Sequence, residues 1–138
     1  MRPSTRKATA IGTPIPGRMA NNRKRMEDQM DFSDYQEKAM RTASLKSFDG
    51  IGALQNAALG LAGEAGEFAD AIKKVSFQGH ALDQAHLAQE VGDILWYCAL
   101  AASALGMDLQ DIAQGNILKL QKRYPDGFEV ERSLHRPD

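Results

Sequence analysis

Apolar residues recur at steps of three and four along most of this chain, the period of helices with one inward face. Ser33-Asp-Tyr-Gln36 has the form of a capping box. It predicts a first helix from Ser33 to about Leu45, followed by a turn at Phe48-Asp49-Gly50. Leu54, Ala58, Leu61, Ala65, Phe68 and Ile72 form the stripe of a second helix, from about Ile51 to Val75. Asp83 is the expected N-cap of a third helix, about Gln84 to Leu105, which Gly106 ends. Its stripe is Leu87, Val91, Ile94, Cys98, Ala101 and Leu105, with Trp96 and Leu100 on the opposite side. A helix apolar on two faces needs more than one layer of neighbours, so the third helix predicts an oligomer interface, most simply a two-fold dimer. Asp108 caps a fourth helix, about Leu109 to Tyr124, with Leu109, Ile112, Ala113, Ile117, Leu120 and Tyr124 as its stripe and Pro125-Asp-Gly127 as its end. No stretch alternates with the period of a strand and no segment repeats, so the class is all-α.

The flanks lack this periodicity. Residues 1–30 mix basic residues with Gly, Ser and Thr, and Pro3, Pro14 and Pro16 interrupt any helix, so the segment reads as a disordered basic arm. Such an arm is compatible with loose nucleic-acid contact, with a transit peptide or with no specific role. Residues 31–128 form the expected helical domain and 129–138 a polar tail. The arm carries seven Lys or Arg against two acids, a net +5, and residues 31–138 carry ten against sixteen, a net −6. The acidic domain is a poor surface for a nucleic-acid backbone and repels a triphosphate unless a metal intervenes. The longest apolar run, Ile94 to Leu105, is 12 residues, too short to span a bilayer. The single cysteine, Cys98, excludes an internal disulfide and fits a reducing cytosol, hence a cytoplasmic protein.

The chemistry concentrates in two acidic pairs, Glu64-Ala-Gly-Glu67 and Glu90-Val-Gly-Asp93. A step of three places each pair on one helical side. On the expected wheel Glu64 lies about 80° from the centre of the second helix's stripe and Glu67 about 140°, so Glu64 borders the core and Glu67 faces outward. Side-by-side packing of the two helices gathers four carboxylates, whose mutual repulsion calls for a hard cation such as Mg²⁺ or Mn²⁺. Gly60, Gly63 and Gly66 weaken the second helix by about 1 kcal/mol each relative to Ala. Their spacing beside the acids suggests the close approach of another backbone or a ligand. Paired divalent ions on such acids can activate water and neutralise phosphate charge. Asn116, Lys119 and Arg123, along one flank of the fourth helix, suit a polyphosphate, and Tyr97 suits a base or sugar. The competing reading is a solvated acidic face belonging to a non-catalytic helical binding module. His80, His86 and His135 complete no Glu-x-x-His motif, and neither a Gly-rich phosphate loop nor a nucleophile elbow is present.

Leu59-Gly-Leu-Ala-Gly-Glu-Ala-Gly-Glu-Phe-Ala-Asp70, Glu90-Val-Gly-Asp-Ile-Leu-Trp-Tyr97 and Asn116-Ile-Leu-Lys-Leu-Gln-Lys-Arg-Tyr-Pro-Asp-Gly-Phe128 resemble the MazG-like nucleoside triphosphate pyrophosphohydrolases. Tyr35-Gln36 and Arg41-Thr42 are similar to that family's opening, so the resemblance covers about residues 33–128. It implies a four-helix-bundle core assembled as a homodimer or homotetramer, and Mg²⁺-dependent hydrolysis of a (d)NTP to (d)NMP and pyrophosphate, as house-cleaning of the nucleotide pool. It further implies that Glu64, Glu67, Glu90 and Asp93 are metal ligands, with Glu67 the candidate to orient the attacking water. Asn116, Lys119 and Arg123 match positions facing the nucleotide, and Tyr97 one near sugar and base. The family also leaves open which nucleotide is preferred, and a phosphorylated metabolite or alarmone remains an alternative substrate. No membrane partner and no specific nucleic acid are expected.

Overall fold

The computed structural model describes residues 30–44 and 50–135. The expected basic arm, apart from Met30, and the turn residues Phe48 and Asp49 lie outside them. Among the described residues every regular element is a helix: α1 (Phe32–Met40), α2 (Gly50–Phe77), α3 (Gln84–Ala104), α4 (Leu109–Arg123) and α5 (Val130–Leu134). The last falls in the segment expected as a loose tail.

α2 and α3 form an antiparallel hairpin: Gly60 lies against Tyr97, and Glu64 against Glu90 and Asp93. Gly79, at φ 75°, bends the connecting loop in a conformation that favours glycine. The Asp83 side chain accepts the His86 N–H at 3.0 Å and starts α3. Gly106, at φ 68°, ends it, with the Met107 N–H reaching back to the Ala102 carbonyl. α4 then doubles back, capped by Asp108, which accepts the Gln110 N–H at 2.7 Å.

α3 is the central element. α2 covers one side, while α1 and α4 pack on the other and on each other. The core there joins Ala99, Ala102 and Leu109 to Tyr35, Ala39, Met40, Leu95, Cys98 and Ile112. Leu100 is 1% exposed, and the Trp96 indole N–H donates to the Ala39 carbonyl (3.2 Å) and the Thr42 hydroxyl (2.9 Å). The second apolar face of α3 is therefore covered within the chain, which removes the premise from which a dimer was expected. A closed four-helix bundle would set α2 against a further helix as well. Its main packing partner is α3, and Ile51, Leu59 and Ile72 stay exposed.

Two local expectations change register. The capping box of α1 is Asp31 with Asp34 rather than Ser33 with Gln36. Ser33 instead donates to the Asp108 carboxylate at 2.9 Å, and the Gln36 amide oxygen accepts the Leu109 N–H at 2.7 Å. Both side chains thus serve the start of α4, some 75 positions away. α1 stops at Met40, short of Leu45, where the Thr42 hydroxyl donates to the Ala39 carbonyl. On α2 the packed face runs through Ala53, Ala57, Gly60, Glu64, Phe68, Ala71 and Val75, while Ala58, Ala65 and Ile72 of the expected stripe are exposed. Small residues admit α3 more closely than the bulkier stripe does, and close contact outweighs hydrophobicity in choosing the buried side.

Candidate metal centre

The rotation of α2 carries Glu64 from the border of the interface to its middle. Opposite it stand Glu90 and Asp93, and one oxygen from each of the three carboxylates lies within 4.8 Å of the others. Glu90 is 6% exposed, Glu64 half-buried and Asp93 open to solvent. Helix registry makes the cluster: Glu64 is one turn beyond Gly60 on α2, and Asp93 one turn before Tyr97 on α3. At the Gly60–Tyr97 crossing the Tyr97 ring packs directly onto the bare backbone of α2. A Cβ on Gly60 would stand 2.1 Å from a ring carbon of Tyr97, so only glycine fits. The Trp96 ring meets Tyr97 edge-on, with centroids 4.9 Å apart and planes at 88°. The expected approach of another backbone or a ligand is met at Gly60 by a side chain instead, the Tyr97 ring. At Gly63, Gly66 and Gly92 an added Cβ would meet nothing within 4 Å.

Carboxylates this close disfavour one another's ionisation. Burial pushes the Glu64 carboxyl above its ordinary value, and Glu67, Asp93 and Glu90 push it further. Glu67 thus acts on the cluster electrically while its carboxylate stays outside the three-oxygen group. It lies one turn further along α2, exposed, on the wall of an adjoining cleft. Asp93 also bears on Tyr35, whose hydroxyl is raised first by burial and then by that charge.

Three groups near the acids escape the motif reading. His86 Nδ1 lies 3.4 Å from Glu90 Oε1, and the step from 86 to 90 is the only hint of it in the sequence. Asp70 pairs with both Lys73 and Lys74, the latter at 2.7 Å, and these two ammonium groups hold its carboxyl down at about 2. The cleft of about 630 Å³ at the tip of the hairpin is bordered by Glu67, Asp70, Lys74, His80 and His86.

Asn116, Lys119 and Arg123 occupy α4, and their side chains form no hydrogen bond or ion pair among the described residues. Tyr97 is half-buried against Gly60. A larger apolar groove, about 710 Å³, runs between the start of α1 and α4 past Phe32, Tyr35, Leu95 and Ile117, and none of the four acids borders it.

The donor set fits a small divalent ion. Three hard oxygens sit within 4.8 Å of one another, close to the roughly 4 Å between opposite ligands of Mg²⁺, which keeps waters or phosphate oxygens in its remaining positions. Burial of Glu90 beside two further acids leaves charge that a cation offsets.

The profile of the MazG nucleotide pyrophosphohydrolase domain matches residues 53–128. The chain is also similar to the Gene 37 protein of Mycobacterium phage L5, with 36% identity over 83 residues that cover 57% of this chain and 73% of that protein. No solved structure shows a significant match.

Proposed function

Because the chain belongs to the MazG nucleotide pyrophosphohydrolase family, we propose that it is a Mg²⁺-dependent enzyme that cleaves a nucleoside triphosphate to the monophosphate and pyrophosphate. The observation that carries this reading is the convergence of Glu64, Glu90 and Asp93 from two helices onto one small volume. Glu64, Glu90 and Asp93 hold the metal, with Mn²⁺ an acceptable substitute. When bound, the metal supplies positive charge against the phosphate oxygens and lowers the pKa of water.

The chain's own groups do the rest. Glu67, exposed at the edge of the cleft, orients the attacking water and takes its proton. The water oxygen bonds to the α-phosphorus as the bond to the bridging oxygen breaks, and pyrophosphate leaves with that electron pair. Tyr97 and, on α4, Asn116, Lys119 and Arg123 contact the nucleotide. A homodimer or homotetramer is part of the same reading. It is supported by the exposure of Ile51, Leu59, Val91, Ile117 and Leu118, apolar area that a second copy would cover. Among the described residues no helix is long and apolar enough to cross a membrane. We place the activity in the cytoplasm, acting on the nucleotide pool.

The deciding experiment measures pyrophosphate release from a panel of ribo- and deoxyribonucleoside triphosphates, with and without Mg²⁺. Release from at least one, abolished by EDTA, is expected. Silence across the panel, with release from another phosphorylated metabolite or alarmone, would move the substrate class. Silence everywhere would leave a binding module.

A further inference from the structure

We propose that the cleft at the hairpin tip binds the pyrophosphate end of the substrate, with Lys74 as its principal cation. This rests on the reading of the acids as the metal-binding centre. The cleft starts at Glu67, beside the acidic cluster, and runs along α2 to Lys74. Seven helical residues separate the two, roughly 10 Å along the axis, a span that an extended triphosphate covers. The ion pair with Asp70 draws the Lys74 ammonium back by one turn, towards the acids. At its acid end, just before Glu67 on α2, the wall also includes Gly63 and Gly66, where a Cβ would meet nothing within 4 Å. Bare backbone thus faces the open space through which the chain of phosphates would pass.

The charge pattern suits an exchange. Asp70 has two ammonium partners, Lys73 and Lys74, so the trio carries one net positive charge. Of the two lysines only Lys74 borders the cleft, beside Asp70. If Lys74 turns to a phosphate, Lys73 still neutralises Asp70, and no carboxylate is stranded. Asp83 borders the same space and is committed to capping α3. Neither Lys119 nor Arg123 borders this cleft. The departing diphosphate therefore has its cation on the same helix as two of the acids.

The test is calorimetric titration of the full chain with inorganic pyrophosphate in the presence of Mg²⁺, for the wild type, Lys74→Met and Lys73→Met. Loss of one charge-assisted contact should weaken binding in Lys74→Met by about tenfold or more. Lys73→Met should weaken it less, by no more than about fivefold, a loss that arises because Lys74 would then leave Asp70 without a partner when it turns to phosphate. Mn²⁺ binding without pyrophosphate, read separately, should be the same in all three. Equal affinities in Lys74→Met and wild type, equal losses in the two variants, or no pyrophosphate binding by the wild type would each overturn the assignment. Failure here is distinct from failure of the enzymatic reading. A wild type that releases pyrophosphate from nucleotides but is indifferent to Lys74 refutes the cleft alone. One that binds pyrophosphate through Lys74 but hydrolyses no nucleotide refutes the activity alone.

Discussion

Replacing Gly60 by Ala should loosen both the hairpin and the acidic centre. The added methyl carbon would lie 2.1 Å from Cε1 and 2.3 Å from Cζ of Tyr97, well inside contact distance. The ring's freedom to move is limited by its edge-on contact with Trp96 at 4.9 Å, itself tied to α1 by two hydrogen bonds. Two effects oppose each other. Ala is the better helix former by about 1 kcal/mol, whereas forcing a methyl group into a filled space costs about 2–3 kcal/mol at this degree of overlap. The clash wins, leaving a net loss of about 1–2 kcal/mol and a fall in Tm of about 3–8 °C. Glu64 and Asp93 sit one turn from the crossing, so spreading the helices should also weaken Mn²⁺ binding. Gly63→Ala is the matched control: its methyl group meets nothing within 4 Å, so only the propensity gain of about 0.5–1 kcal/mol remains and Tm should rise. Thermal unfolding followed by circular dichroism, with a Mn²⁺ titration of each variant, decides the matter. Shifts of the same sign in the two variants would refute the packing argument.

Glu90→Gln should lower turnover by about two orders of magnitude or more with the helical spectrum unchanged, and near-normal pyrophosphate release would count against the metal centre. Without metal, the raised Glu64 carboxyl destabilises the fold: both states are protonated below the ordinary carboxylate value, and the penalty grows as pH rises through it. Glu64→Gln should therefore gain on the wild type in Tm between pH 4 and pH 7 in EDTA, and a pH-independent difference would contradict this. Trp96→Phe removes both indole hydrogen bonds to α1 and should cost about 1–2 kcal/mol in urea unfolding, whereas an unchanged midpoint would show that α1 is held by packing alone. Light scattering should report a mass of two or four 15.1 kDa chains, and a clean monomer would remove the proposed assembly.

The helical class, the caps at Asp83 and Asp108 and the terminator at Gly106 were legible from residue type, because each acts on backbone within a few positions of itself. So was the placing of Glu90 and Asp93 together, since a step of three is a statement about one helix, whereas Glu67 stands outside the group that its step from Glu64 suggested. The buried side of α2 was not. Hydrophobic periodicity weighs Leu and Ile above Ala and Gly, yet Ala53, Ala57 and Gly60 were chosen because they let α3 approach. Nor were the partners of Ser33 and Gln36 legible: their bonds span some 75 residues, and a local motif claims the same side chains for a nearer task. His86 and the Asp70–Lys73–Lys74 group carry no motif of their own and gain meaning only from the cleft they border.

All three clustered acids belong to one hairpin, and the furthest apart in the chain, Glu64 and Asp93, are separated by fewer than thirty residues. Contacts of such short range form early, because little chain entropy is lost in closing them. α1 and α4 must by contrast find each other across most of the domain. The order of assembly that follows is hairpin first, flanking helices afterwards. A divalent ion present during refolding would then accelerate the forward reaction rather than merely retard unfolding, acting as a nucleus around which the rest of the polypeptide condenses.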